Sequence, residues 1–128
     1  MSKRKKIKII VAGTRYGVDN DYLKNCLSFL PYIENKSLYD VTIVVGGAKG
    51  VDEQGKQYAL GLGIPYVVFE ANWTKFGRSA GPRRNAEMAE YADVLCAFPD
   101  DREHSGTQDM IRKMKDKGKE VYIFQPYS

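Results

Sequence analysis

The feature that most constrains this chain is a set of five short apolar runs, Ile7–Ala12, Val41–Val45, Tyr66–Phe69, Val94–Phe98 and Val121–Phe124, each carrying β-branched or aromatic residues. Runs of this length that are apolar at nearly every position suit strands covered on both faces. Between them lie stretches with helical spacing. Tyr22, Cys26, Phe29, Leu30 and Ile33 share a period near 3.6, with Asp19, Asn20 or Asp21 in place to cap the helix start. Val51–Leu62 reads as a second helix, ended by Gly63 and Pro65; Pro82–Tyr91 as a third, with Pro82 as its starting residue; Thr107–Lys117 as a fourth, turning Met110, Ile111 and Met114 inward and stopped by Gly118. Five strands alternating with helices predict an α/β chain with a mainly parallel five-stranded sheet, right-handed crossovers and helices on both faces.

A chain of 128 residues has the length of one domain. We expect residues 1–6 to form a disordered basic leader and 7–128 a single domain, with Pro126–Ser128 as a fraying end. Net charge is +4, but five of the twenty Lys and Arg residues fall in the first eight positions, which leaves fifteen bases against sixteen acids in the rest. The basicity is therefore mostly a property of the leader, and nucleic-acid binding through it ranks last among the functional readings. No apolar run is long enough to cross a membrane and no signal-peptide core follows the charged start, so the expected location is cytoplasmic. Cys26 and Cys96 sit in apolar contexts and His104 is the sole histidine, which predicts no metal site; no cofactor is expected either.

In open α/β sheets ligands bind beyond the carboxyl ends of the strands, and the unusual residues of this chain gather there. Gly13-Thr14-Arg15 follows the first run and Gly46-Gly47-Ala48-Lys49-Gly50-Val51-Asp52 the second. A long loop with Trp73, Lys75, Gly77 and Arg78, leading into Ala80-Gly81-Pro82-Arg83-Arg84-Asn85, follows the third, and Ser105-Gly106-Thr107 comes after the fourth. Glycines that open a helix let the backbone amides approach an anion, so Gly46–Gly50 reads either as a phosphate cradle or as a tight strand-to-helix turn; Ser105–Thr107 carries the same two readings. Arg15, Lys49, Arg78, Arg83 and Arg84 supply positive charge near that edge, although Lys75 and Arg84 are as compatible with a solvated face as with a site. Trp73 is placed to stack on a base or ribose, or to cap the core, and Asn85 to hold a loop carbonyl or to read a ligand edge. Asp52, Glu53, Glu87 and Asp109 are the carboxylates nearby, and Asp52, Glu87 and Asp109 are the catalytic candidates; Asp52 and Asp109 each stand in the first turn of a helix, where acids also stabilise the dipole. The pattern favours an anion site over a catalytic one.

Taken in order, Gly13-Thr14-Arg15, Gly46–Asp52, Ala71-Asn72-Trp73 with Gly77-Arg78, Ala80–Met88 and Phe98-Pro99 followed by Gly106-Thr107 resemble the SLOG superfamily, in its small YspA-like branch, over about residues 7–124. The superfamily is related to the DNA-processing protein Smf and to the lysine-decarboxylase-like LOG proteins. The resemblance implies a Rossmann-like three-layer sandwich that binds or senses a nucleotide or nucleotide-derived small molecule. The ligand-binding residues are then expected among Gly13, Thr14, Arg15, Gly46–Gly50, Asp52, Trp73, Arg78, Gly81, Arg83, Asn85 and Ser105–Thr107. It also raises a homodimer as an expectation, because related proteins often self-associate. LOG enzymes cleave the N-glycosidic bond of nucleoside monophosphates with the glutamate of a PGGxGTxxE motif, which makes a nucleotide N-glycosidase the alternative reading. Here Met110 stands at the glutamate position, Asp109 is one residue out of register, and Asp100–His104 replaces the double glycine. The resemblance thus carries the binding fold further than it carries the LOG chemistry.

Overall fold

The computed structural model describes residues 3–100 and 106–125. Five strands, β1 (Lys5–Gly13), β2 (Tyr39–Val45), β3 (Tyr66–Val68), β4 (Val94–Phe98) and β5 (Glu120–Ile123), form one sheet in the order β3-β2-β1-β4-β5. All four pairings are parallel. The first run extends further than its hydrophobicity suggests. Lys5 and Lys6, assigned to the leader on charge alone, pair with Tyr39 and Asp40, because a strand's backbone bonds do not depend on which side chains it exposes.

The two faces follow the strand period of two. Ile7, Ile9 and Val11 share one core with Ile43, Val45, Cys96 and Phe98, covered by α1 (Asn20–Ser28), α2 (Pro31–Glu34) and α3 (Val51–Leu62). Ile10, Val44, Leu95 and Ala97 face the other way, onto Met88 and Ala89 of α5 (Ala80–Tyr91) and Met110, Ile111 and Met114 of α6 (Gly106–Asp116). A four-residue helix, α4 (Trp73–Phe76), and a 3-10 turn over Gly77–Ser79 lead into α5, which begins two residues before Pro82.

The first helix departs from the periodic pattern. Asp19 caps it, accepting from the Tyr22 amide at 3.0 Å, but the helix ends at Ser28 and Leu30 turns extended (φ −61°, ψ 137°) before Pro31 starts α2. Proline has no N–H to continue the ladder and pushes the preceding residue out of the helical region. The inward residues are consequently Leu23, Leu27, Leu30 and Ile33, while Phe29 lies 73% exposed.

At the β5 edge one carboxylate takes two phenols: Tyr32 donates to Glu120 Oε2, and Tyr122 to Oε1 at 2.9 Å. The Glu120 contact, together with burial, holds Tyr32 protonated well above its ordinary range, and burial followed by the Glu120 bond pushes Tyr122 up to about 12 from 10.0. Raised tyrosines are fully stabilising below the unfolded value and lose that contribution as pH climbs to the folded one. Melting temperature should therefore fall between about pH 10 and 12. A Glu120→Gln variant, measured in parallel so that lysine titration cancels, should fall less steeply; an identical slope would show that the carboxylate does not hold the phenols.

Candidate functional site

The strand order reverses at β1, with β2 and β3 on one side and β4 and β5 on the other. That switch point leaves a crevice beyond the carboxyl ends of β1 and β4. Its floor is tightly fitted. Gly13 lies against β4 so closely that a Cβ there would stand 2.4 Å from the Phe98 carbonyl oxygen, and the Thr14 amide donates to that same oxygen at 3.0 Å. Thr14, 2% exposed, is the knot of the next loop: its carbonyl accepts from the Gly17 amide at 3.2 Å and the Val51 amide at 3.1 Å, and its Oγ1 from the Tyr16 amide at 3.2 Å. The β1–α1 and β2–α3 loops therefore cross in contact, with Gly50 backbone against Thr14 and Arg15 backbone.

The glycine turn after β2 already holds an anion, one from its own chain. Asp52, 6% exposed, accepts from the amides of Gly46 at 3.2 Å and Ala48 at 3.3 Å through a single oxygen, Oδ2, and the Val51 amide is taken by Thr14. Three of the donors that the sequence offers to a phosphate are thus engaged in fixing the turn. Positive charge arrives from α5. Arg84 Nη1 donates to the Gly46 carbonyl at 2.6 Å, and its Nε is buried with no partner among the described residues. A buried donor left unpaired costs about 1–3 kcal/mol, more when charged.

Together these groups bound a cleft of about 80 Å³, whose walls include Arg15, Asp52, Arg84, Asn85, Thr107 and Met110 with the backbone of Gly13, Gly46, Ala48 and Gly106. Asn85 ties α5 to the start of α6, donating through Nδ2 to the Gly106 carbonyl at 3.2 Å and to Asp109 Oδ2 at 3.0 Å. Asp109 also accepts from Arg112 at 2.6 Å and from Lys113 at 2.5 and 2.6 Å. Its carboxylate is thereby committed to holding the first turns of α6, while Met110 lines the cleft.

Of the residues singled out in the sequence, the structure brings Gly13, Arg15, Gly46, Ala48, Asp52, Asn85, Gly106 and Thr107 to this cleft, with Thr14 and Gly50 beneath it. Others lie elsewhere. Gly47 faces the Glu70 carboxylate, and Lys49, Arg78 and Glu87 are exposed away from the cleft walls. Arg83 stacks over Phe76 at 4.2 Å and its Nε donates to Ser79 Oγ at 3.2 Å. Trp73, 58% exposed, lays the far edge of its indole against Gly81. Ser105 and His104 lie outside the described residues. Of the two neighbouring arginines of α5, Arg84 lines the cleft, whereas the sequence placed Arg83 rather than Arg84 among the expected ligand-binding residues. The available signal was register: Arg84 precedes the buried Met88 by four positions and so shares its helix face, whereas Arg83 shares a face with Ser79.

The YAcAr family, described as the YspA, cpYpsA-related SLOG family, matches residues 7–76. The chain belongs to this SLOG family. The matched span of the SLOG chain runs from Ile7, within β1, to the end of α4 and includes the β1–α1 and β2–α3 loops. The Gene 61 protein of Mycobacterium phage D29 is 29% identical over 123 residues, covering 91% of this chain and 95% of that protein. Among solved structures, DNA processing protein A (DprA) of Streptococcus pneumoniae superposes with a TM-score of 0.71 over 93% of this chain at 16% identity. That likeness establishes the Rossmann-like fold, and the SLOG chain spans 50% of the DprA chain. No helix among the described residues is long and apolar enough to cross a membrane.

Proposed function

We propose that this SLOG protein binds a nucleotide or nucleotide-derived ligand, with a phosphate seated in the cleft beyond β1, β2 and β4. Family membership suggests a nucleotide-related ligand in general. The observation that carries the reading to this cleft is Arg84, a guanidinium fixed on the Gly46 carbonyl with its buried Nε unpaired among the described residues. Guanidinium forks match phosphate oxygens in the plane. Arg15 adds a second cation, and α6, which opens at Gly106, presents the positive end of its dipole to the same space. Asp52 sets the turn through Oδ2, which accepts from the Gly46 and Ala48 amides.

Binding without turnover fits the carboxylates better than hydrolysis does. Asp109 has three cationic or amide donors, Glu87 faces away, and Met110 offers no proton-transfer group where LOG enzymes place their glutamate. DNA binding through the basic start draws support from its lysines and from the fold shared with DprA, a DNA processing protein. Lys5, Lys6 and Lys8 stand at the amino end of β1, roughly 16 to 26 Å along the strand from Gly13, so they form a separate surface.

Thermal-shift titration with nucleoside monophosphates, ADP-ribose, cyclic dinucleotides and inorganic phosphate tests the reading. At one hundred times its dissociation constant a true ligand should add about 2.7 kcal/mol of stability. A flat response across the panel sinks the proposal, and release of free base on incubation with nucleoside monophosphates would restore the N-glycosidase.

A further inference from the structure

A phosphate site alone does not distinguish a nucleotide from any other phosphorylated metabolite. The distinguishing element is an aromatic surface for the base, and two exposed aromatic rings stand on the connections that follow β3 and β1. Trp73 is the larger, but the far edge of its indole, around Cη2, is laid against Gly81. The other is Tyr16, 55% exposed on the loop after β1. It directly follows Arg15, a wall of the cleft, and the Arg15 guanidinium lies over its ring at 5.4 Å.

An exposed ring is ordinary on a mobile loop; this loop is not built to move. The Tyr16 amide is held by Thr14 Oγ1 and the Gly17 amide by the Thr14 carbonyl. Val18 is bolted to α3 on both sides, its amide donating to Gln54 Oε1 at 3.0 Å and its carbonyl accepting from Gln54 Nε2 at 2.7 Å. The backbone on both sides of Tyr16 is thus fixed by bonds to a buried threonine and to a helix, while its ring is turned outward beside a cationic wall. A ring carried on a fixed backbone loses less conformational freedom on binding than one on a mobile loop, and every nucleobase has a π-face to stack on it.

We infer that Tyr16 is the platform for the ligand's base, with Arg15 joining the stacked ring to the phosphate end of the cleft. This rests on the phosphate reading above and goes beyond it, because it requires a ligand with an aromatic base within reach of Arg15.

The test compares AMP with ribose 5-phosphate by calorimetry on the whole chain and on Tyr16→Ala, Tyr16→Phe and Trp73→Ala. The wild type should bind AMP on the order of 10-fold or more tightly than ribose 5-phosphate. Tyr16→Ala should close that gap by weakening AMP alone, and Tyr16→Phe and Trp73→Ala should keep it. Equal affinity of the wild type for both probes overturns the inference while leaving the phosphate reading intact. So does a Tyr16→Ala variant that weakens both probes alike or neither, or a Trp73→Ala variant that closes the gap. A wild type that binds neither probe overturns the inference, and a flat response across the wider titration panel overturns the phosphate reading as well.

Discussion

Gly50→Ala is expected to lower stability by about 4 kcal/mol or more, and so Tm by more than about 10 °C. Gly50 caps α3 with φ +78° and ψ −125°, a region that residues with a Cβ rarely occupy. The added carbon would stand 2.3 Å from the Thr14 carbonyl oxygen and 2.4 Å from the Arg15 carbonyl carbon. Both are backbone atoms, and Thr14 is itself held by the hydrogen bonds that define the loop crossing, so neither can rotate away as a side chain would. Gly61, in the same helix, is the matched control: a Cβ there meets nothing within 4 Å. Gly61→Ala should stabilise by about 0.5–1 kcal/mol through helix propensity. Urea unfolding of the pair checks both signs, and a Gly50→Ala protein as stable as the wild type would mean that the two loops do not cross as described.

For Arg84→Ala the large effect is on binding. Whichever phosphorylated compound gives the strongest response in the titration panel should bind roughly 30- to 5,000-fold more weakly, the range for truncating one member of a buried charge pair. Arg84→Lys should recover little of it, because an ammonium cannot hold the Gly46 carbonyl and present a second coplanar donor at once. Stability should move the other way or hardly at all. The substitution removes one hydrogen bond to Gly46 but also removes the buried unpaired Nε, so the unliganded variant should stay within about 1 kcal/mol of the wild type. Arg83→Ala, whose side chain is spent on Phe76 and Ser79, should change affinity by less than about threefold. If Arg83 rather than Arg84 proves to be the sensitive position, the cleft is not the phosphate site.

The architecture was readable because strands buried on both faces leave almost no polar positions inside them, a signal that survives without knowledge of what covers each face. The break in the first helix was written at Pro31 but masked by the apolar spacing of Phe29 and Leu30, which a continuous helix also explains. The site divided differently. The loops that compose it were visible as clusters of glycine beyond the strands, whereas the partner of each amide was not. That Asp52 folds back onto Gly46 and Ala48 depends on the pitch of the turn between them, and pitch is fixed by Thr14, some forty residues earlier. The choice between Arg83 and Arg84 likewise needed the rotation of α5 about its axis, which Met88 and Asn85 set by packing against the sheet and α6.

The position of β1 at the centre of the sheet also governs how the chain matures during translation. Ile9 pairs with Ile43 on one side and with Val94 on the other, so its second neighbour is made much later than its first. The β1–β2–α3 unit, with the loop crossing at Thr14 and Gly50, can assemble once residue 62 has left the ribosome. Ile10 and Val44, which end buried beneath α5 and α6, must then wait for those helices. At about 5–20 residues per second that interval lasts several seconds, during which Ile10 and Val44 have no helix to cover them.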